Sequence, residues 1–397
     1  MNIPVLLLLL WFAAVSAAAE GDGDRSPASR WAHPFGPPSG SARSHAAAPA
    51  TFGAVRWRYK ARRTLLGPPV TWDGIAFFLD GTAGAAELVA LDLLDGSVLS
   101  RIGVRKPGAA RLAVDRWSVF LIEDRDLVQI RLQAGKLQRR WTRSVGRKAA
   151  NPLVFSGEIY VSSPQALQRL RVGDPRPVWE KKGRFTGQPA LFGDHLYALQ
   201  RDDTGTSLVV FERTDGSPAG NLSLPQKAAT GSSRGRVICA KGLVSVHLPG
   251  TASTWALLQR RLDKGRPILE YKRTEEILDE PLSGDAVLLG RIPEPRGWAV
   301  LGFGKRPRFL LVDAKQRPDL MEGCASCVSF SGLICFGNWI GAINGNRILW
   351  HLAERPEIKD FARGVAYRTV PGGRGLALAV PAGGKELCGI GPREYKR

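Results

Sequence analysis

The chain has 397 residues, with 56 Lys and Arg against 36 Asp and Glu, and five cysteines. Five cysteines are too few to frame a fold of this size, which excludes a disulfide scaffold. The formal net charge of +20 favours anionic partners such as lipopolysaccharide, acidic lipid head groups, acidic polysaccharide or nucleic acid.

Taken in chain order, the first element is an apolar stretch from Pro4 through Leu10, Trp11 and Phe12 to the small residues Ala17-Ala18-Ala19. It predicts a secretory signal over residues 1-19, cleaved near Ala19; an N-terminal anchor is the alternative, since no Lys or Arg precedes it. No cysteine sits near its end, so it offers no lipid attachment point. Residues 20-50 are rich in Ala, Ser, Pro and Gly and predict a disordered tether. The three acids and three bases of the tether cancel, so the whole charge excess belongs to residues 51-397.

From there a phrase of roughly forty residues recurs, the spacing of four-stranded propeller blades. Its apolar runs start at Pro69-Val70, Arg111-Leu112, Pro152-Leu153, Pro189-Ala190, Arg236-Val237, Pro281-Leu282 and Cys327-Val328. Turns are expected at Asp73-Gly74, Ser156-Gly157, Gly193-Asp194, Lys241-Gly242, Gly284-Asp285 and Ser331-Gly332, where Asp caps and Gly supplies positive φ. Bulky residues mark the outer ends of the units: Trp57, Leu99, Trp141, Trp179, Leu222, Tyr271 and Trp350, with no marker near Lys315. The expected fold is all-β, a single propeller of eight blades (alternatively seven) over 51-397. Pairing of Val55 to Tyr59 with the last strands near Leu376 to Val380 would close the ring and remove exposed edges.

Cys324-Ala-Ser-Cys327 has metal-ligand spacing but no second pair or neighbouring His, so no zinc site is assigned. A three-residue loop, Phe330-Ser331-Gly332, would set Cys327 opposite Cys335 for a local disulfide, whereas a two-residue loop would separate them; buried thiols are the alternative.

The segment from Gly67 to Leu99, with "GPPVTWDGIAFF" and "LVALDLLDGSVL", resembles the repeat of pyrroloquinoline-quinone-like (PQQ-like) propellers; Ala90-Leu91-Asp92 and Gly96 carry the closest match. "NPLVFSGEIYVSS" and "GQPALFGDHLYAL" repeat its first half. The resemblance implies a fold more than an activity. One branch holds quinone-dependent dehydrogenases with a calcium site, a stacking Trp and a catalytic carboxylate or His. The five histidines here are scattered and adjacent cysteines are absent, so no catalytic residue, cofactor or metal is assigned. The other branch, similar to the periplasmic propeller subunit of the outer-membrane β-barrel assembly machinery, implies action by protein contacts.

Basic residues return in phase just after the outer-strand markers: Arg58, Lys60, Arg62 and Arg63; Arg101, Arg105 and Lys106; Arg143, Arg147 and Lys148; Lys181, Lys182 and Arg184; Lys272 and Arg273. The same phase in a repeat means the same face of the disc. A cationic ring there would hold an anionic polymer, a lipid surface or an acidic protein patch. The alternative is a set of solvated loops whose charges blunt sheet edges. Nucleic acid is disfavoured by secretion and by the aromatic positions, which suit packing between blades better than base stacking. The expectation is an exported, secreted or periplasmic, monomeric and non-catalytic scaffold; an enzyme working at the channel mouth, such as a quinone-dependent oxidoreductase, is the alternative.

Overall fold

The structure is a computed structural model. It describes residues 54–107, 112–203 and 205–224 without a break; outside these it describes the pair Arg43–Ser44 and, from 236 to 391, the strands with a few adjoining residues. Every described element is a β-strand.

After β1 (Arg43–Ser44) and β2 (Ala54–Lys60), the strands fall into consecutive antiparallel meanders. The first is β3 (Leu65–Trp72), β4 (Ile75–Gly81), β5 (Ala85–Asp92) and β6 (Val98–Arg105). The next comprises β7 (Ala113–Asp115), β8 (Ser118–Glu123), β9 (Asp126–Gln133) and β10 (Lys136–Ser144). Then come β11 (Leu153–Phe155), β12 (Glu158–Ser162), β13 (Ala166–Arg171) and β14 (Asp174–Lys182). They are followed by β15 (Arg184–Phe192), β16 (His195–Arg201), β17 (Thr206–Glu212) and β18 (Pro218–Ser223). A single parallel bridge, Gln188 to Arg236, links these to β19 (Arg236–Ala240), β20 (Leu243–Leu248), β21 (Thr254–Asp263) and β22 (Arg266–Glu276). The remaining groups are β23 (Ser283–Ile292), β24 (Gly297–Phe303) and β25 (Arg308–Asp313); β26 (Cys327–Phe330), β27 (Leu333–Phe336), β28 (Trp339–Ala342) and β29 (Arg347–His351); and β30 (Tyr367–Gly373), β31 (Leu376–Pro381) and β32 (Glu386–Gly391).

First strands touch in succession, β3 to β7, β11, β15, β19, β23, β26, β30 and back to β3. The molecule is therefore a β-propeller with first strands around the axis and last strands at the rim. Burial follows that order: β4 is buried along almost its whole length, whereas β10 at the rim is exposed at most positions. The core lies between sheets and follows the period-two alternation of each strand. In β8, Val119 and Leu121 face the preceding unit's cluster while Phe120 and Ile122 face the following one. β16 divides likewise, Leu196 and Ala198 against Tyr197 and Leu199.

The aromatic markers staple one unit to the next. The Trp57 indole donates to Leu93 O at 2.8 Å and lies against the turn at Gly96, where a Cβ would come within 2.7 Å of the ring. Trp179 repeats this on Arg213 O at 3.2 Å and on Gly216. Both glycines have positive φ, 76° and 70°, so each position excludes a side chain twice over. Rim edges are blunted by Pro175 and Pro177 in β14, Pro218 in β18 and Pro267 in β22, and by Lys136, Arg139, Arg140 and Arg143 in β10.

Three sequence expectations need correction. The ring closes through β2 on β32, Val55 against Ile390 and Tyr59 against Leu387, while Leu376–Pro381 is β31, one strand further in. Gly284-Asp285 lies inside β23 rather than in a turn; the register with β24 shifts between Ser283 and Val287, so the pair is absorbed as an irregularity of a longer strand. The register of β26 on β27 sets Cys327 against Phe336, Cys335 against Val328 and Phe330 against Leu333, while Ser331-Gly332 lies outside the described residues. That is the register which separates the two cysteines, and it removes the argument for a Cys327–Cys335 disulfide. Residues 1-19 and most of 20-50 lie outside the described residues, but within the expected tether Arg43–Ser44 is a strand.

Candidate binding face

Each unit alternates direction, so the loop from a last strand to the next first strand lies at the same end as the turn between second and third strands. This end is the return face. Backbone hydrogen bonds join the two loop sets: Lys106 N to Gly84 O at 3.0 Å, Val145 N to Arg125 O at 3.0 Å, Gly183 N to Gln165 O at 3.1 Å and Ala61 N to Lys385 O at 2.9 Å. At these four junctions the described ends of the loops are tied to the neighbouring turn.

Most of the cations expected there are at or beside this face, but they are not equivalent. Arg143 is half-buried and committed to its surroundings, with Nε donating to Gln168 at 3.3 Å, Nη1 to Pro175 O at 3.0 Å and Nη2 4.0 Å from Glu180. Lys181 lies over the next unit's turn, where a Cβ at Gly216 would meet its Cε at 2.8 Å. Arg58, Arg62 and Arg184 make exposed pairs with Glu386, Glu87 and Asp203 at 3.4, 3.3 and 3.0 Å. Such pairs contribute about 0–1 kcal/mol and leave the guanidinium available to a stronger anion. Lys60, Arg63, Arg105, Lys106, Arg147, Lys148 and Lys182 are exposed, and their side chains make no ion pair among the described residues. Lys272 and Arg273 fall within β22, and the register sets Arg273 against Leu257.

Arg105-Lys106 and Arg147-Lys148 lie where the last strands β6 and β10 of successive units pass into their return-face loops, the second pair a few residues further from its strand. The second residue of each pair is left-handed, with φ of 41° and 59°. The geometry costs a side-chain-bearing residue roughly 1 kcal/mol relative to glycine.

Asp80 organises one sector of the face. It is 4% exposed and accepts from the Tyr59 hydroxyl at 2.6 Å and from the backbone N–H groups of Arg62 and Arg63 at 2.8 and 3.0 Å. Arg101 stands 3.9 Å away, donates to Tyr59 Oη at 2.9 Å and to Glu87 at 3.1 Å, and lies over the Tyr59 ring. Burial pushes the Asp80 carboxyl up, but the hydrogen bonds outweigh it and hold the group below its usual range. Burial and the Asp80 bond push the Tyr59 phenol up to about 12, so it stays a donor.

Two polar clusters between units, at the opposite face, were not recognised in the sequence. Glu158 accepts from Tyr160 and Arg169 and stands 3.7 Å from Arg213, whose guanidinium lies over Phe155. One unit on, His195 Nε2 stands 3.4 Å from Glu212 without hydrogen-bond geometry, beside Arg260, which stacks on Phe192 at 4.6 Å and near Tyr197. Burial lowers the His195 pKa and raises that of Tyr197. The signal was legible as Glu-Ile-Tyr and His-Leu-Tyr, each directly after a glycine-containing turn. Among the described residues no three His, Cys, Asp or Glu side chains lie close enough to hold a metal ion.

Residues 38–219 match the family model described as outer membrane protein assembly factor BamB. The whole structure is similar to BamB from Moraxella catarrhalis, with a TM-score of 0.52, 14% identity, and coverage of 89% of this chain and 97% of that one. It is also similar to the computationally designed Ika8 protein, at a TM-score of 0.57 and 10% identity over 84% of this chain and 98% of that one. No curated protein matches. At such identities the structural likeness shows the fold, a β-propeller; the family-model match over residues 38–219 is what makes that stretch similar to BamB and to PQQ-like propellers, as the repeat phrase implied.

Proposed function

We propose that this chain is an exported, non-catalytic propeller scaffold of the cell envelope that docks an anionic partner, a protein patch or a lipid surface, through the return face. One observation carries the reading. Arg105-Lys106 and Arg147-Lys148 present exposed cations, unpaired among the described residues, at the return-face ends of adjacent units, beside backbone hydrogen bonds that tie those ends down. Pre-positioned cations on a fixed frame bind an anion without first ordering a loop. The family description matched by residues 38–219 supports an assembly-factor role at the envelope and action by contact. A signal cleaved near Ala19 and a monomeric domain complete the reading.

Co-sedimentation with vesicles containing anionic phospholipid tests the lipid form, and pull-down of an acidic envelope protein tests the protein form. The return-face variant with Arg105, Lys106, Arg147 and Lys148 each changed to Glu is expected to lose binding in whichever form operates. At about 1 kcal/mol per cation near an anionic surface, four losses weaken binding roughly a thousandfold. Undiminished binding by this variant would refute the return face as the docking surface.

A further inference from the structure

One strand of the sheet system is not supplied by the propeller repeat. β1 pairs in parallel with β26, Arg43 against Ser329 and Ser44 against Phe330, on the edge of β26 away from β27. β26 is a first strand, flanked by the first strands β23 and β30, so the edge that β1 covers faces the axis. A first strand presents unpaired N–H and C=O groups along that edge, and an extended segment satisfies them without any side-chain requirement.

Direction adds a second constraint. First strands run away from the return face, and β1 is parallel to one of them, so the chain enters β1 from the return-face side and leaves it toward the opposite face. The next described strand, β2, is the outermost strand of the closing sheet, and its first residue, Ala54, pairs with Gly391. β2 ends at the return face, since Ala61 N bonds to Lys385 O, and therefore begins at the opposite face. The ten Cα steps from Ser44 to Ala54 reach at most about 36 Å, enough to pass from axis to rim.

We propose that Arg43–Ser44 is an axial strap: a strand-addition contact in which the segment ahead of the propeller occupies the inner edge of β26. The occupant is this chain's own segment, and the contact commits the N-terminal side of the chain to the axis rather than the rim. The inference is independent of what the return face binds.

Two measurements on the full chain as purified test it. Limited trypsin digestion should cut after Arg43 at least about tenfold more slowly than after Arg30, because a paired strand must open before cleavage. A variant with Ala42→Pro and Ser44→Pro, which removes the Ser44 amide donor, should raise hydrogen exchange in 327–330 about tenfold while leaving β8 and β16 unchanged. Cleavage after Arg43 as fast as after Arg30, or exchange in 327–330 unaltered by the two prolines, would overturn the strap.

Discussion

Asp80 ties the closing strand to the first full sheet: Tyr59 comes from β2, Arg62 and Arg63 from the loop that follows, and Arg101 from β6. Removing its carboxylate leaves a buried hydroxyl and two N–H groups without an acceptor. Asp80→Ala is therefore expected to cost about 3 kcal/mol in urea unfolding. The sign with pH follows from the depressed carboxyl pKa. The stabilisation is present above the unfolded value of about 3.9 and is lost as pH falls through the lower folded value, so an Asp80→Asn variant should show a shallower acid limb. His195 acts in a higher window. Burial chiefly, with Arg260 assisting, lowers its pKa, so the unfolded chain takes up the proton first. Stability should decline as pH falls from about 6.5 toward the folded value, and His195→Gln should remove that decline in urea midpoints taken at neutral and mildly acid pH. At this scale the sequence showed which residues were charged but not which were engaged. Arg143 and Arg147 read alike as letters, and only the neighbouring sheet, with Gln168 and Pro175, separates them. Replacing Lys106 and Lys148 by glycine tests the same distinction: stability should hold or rise by up to about 1 kcal/mol per site, while anion binding weakens.

The element that defines the repeat is the outer-strand tryptophan seated on the next unit's glycine turn. Gly96→Ala meets both a φ of 76° and the Trp57 ring 2.7 Å from the new methyl, and should cost about 3 kcal/mol. Gly135→Ala has nearly the same φ, 71°, but open space, and should cost only about 1 kcal/mol. Thermal unfolding of the two variants side by side checks the difference. Turns and strand order were legible because Asp-Gly and Ser-Gly pairs dictate hairpin geometry locally; Asp73-Gly74 and Ser156-Gly157 both adopt positive φ at both residues. Register was less legible. Gly284-Asp285 carries the same local signal, yet the apolar run after it continues a strand, and pairing with β24 outweighs the turn propensity. For Cys327 and Cys335 the observed register differs by one residue from the one that would set them opposite each other.

Over the whole molecule, closure by β2 on β32 makes the sheets one ring. The gap in the aromatic markers near Lys315 coincides with the point where the described strands of the β23–β25 sheet stop, at Asp313. An eight-unit ring remains the prediction, to be counted directly in an experimental density map; a seven-unit ring would require two of the strand groups to merge. The charge excess was plain from composition, but its meaning depends on where topology puts it. Solvated loops and a binding face carry the same residues, and they differ in whether position matters at constant net charge. The decisive measurement is therefore binding of the purified chain to anionic envelope material over a range of salt, comparing two variants of equal net charge. One reverses Arg105, Lys106, Arg147 and Lys148 to Glu on the return face; the other reverses Arg116, Lys136, Arg171 and Arg266, all exposed and at the opposite face. Loss of salt-sensitive binding in the first variant alone is the predicted result. Equal loss in both, or in neither, would contradict a dedicated return face and leave the charge as a property of composition.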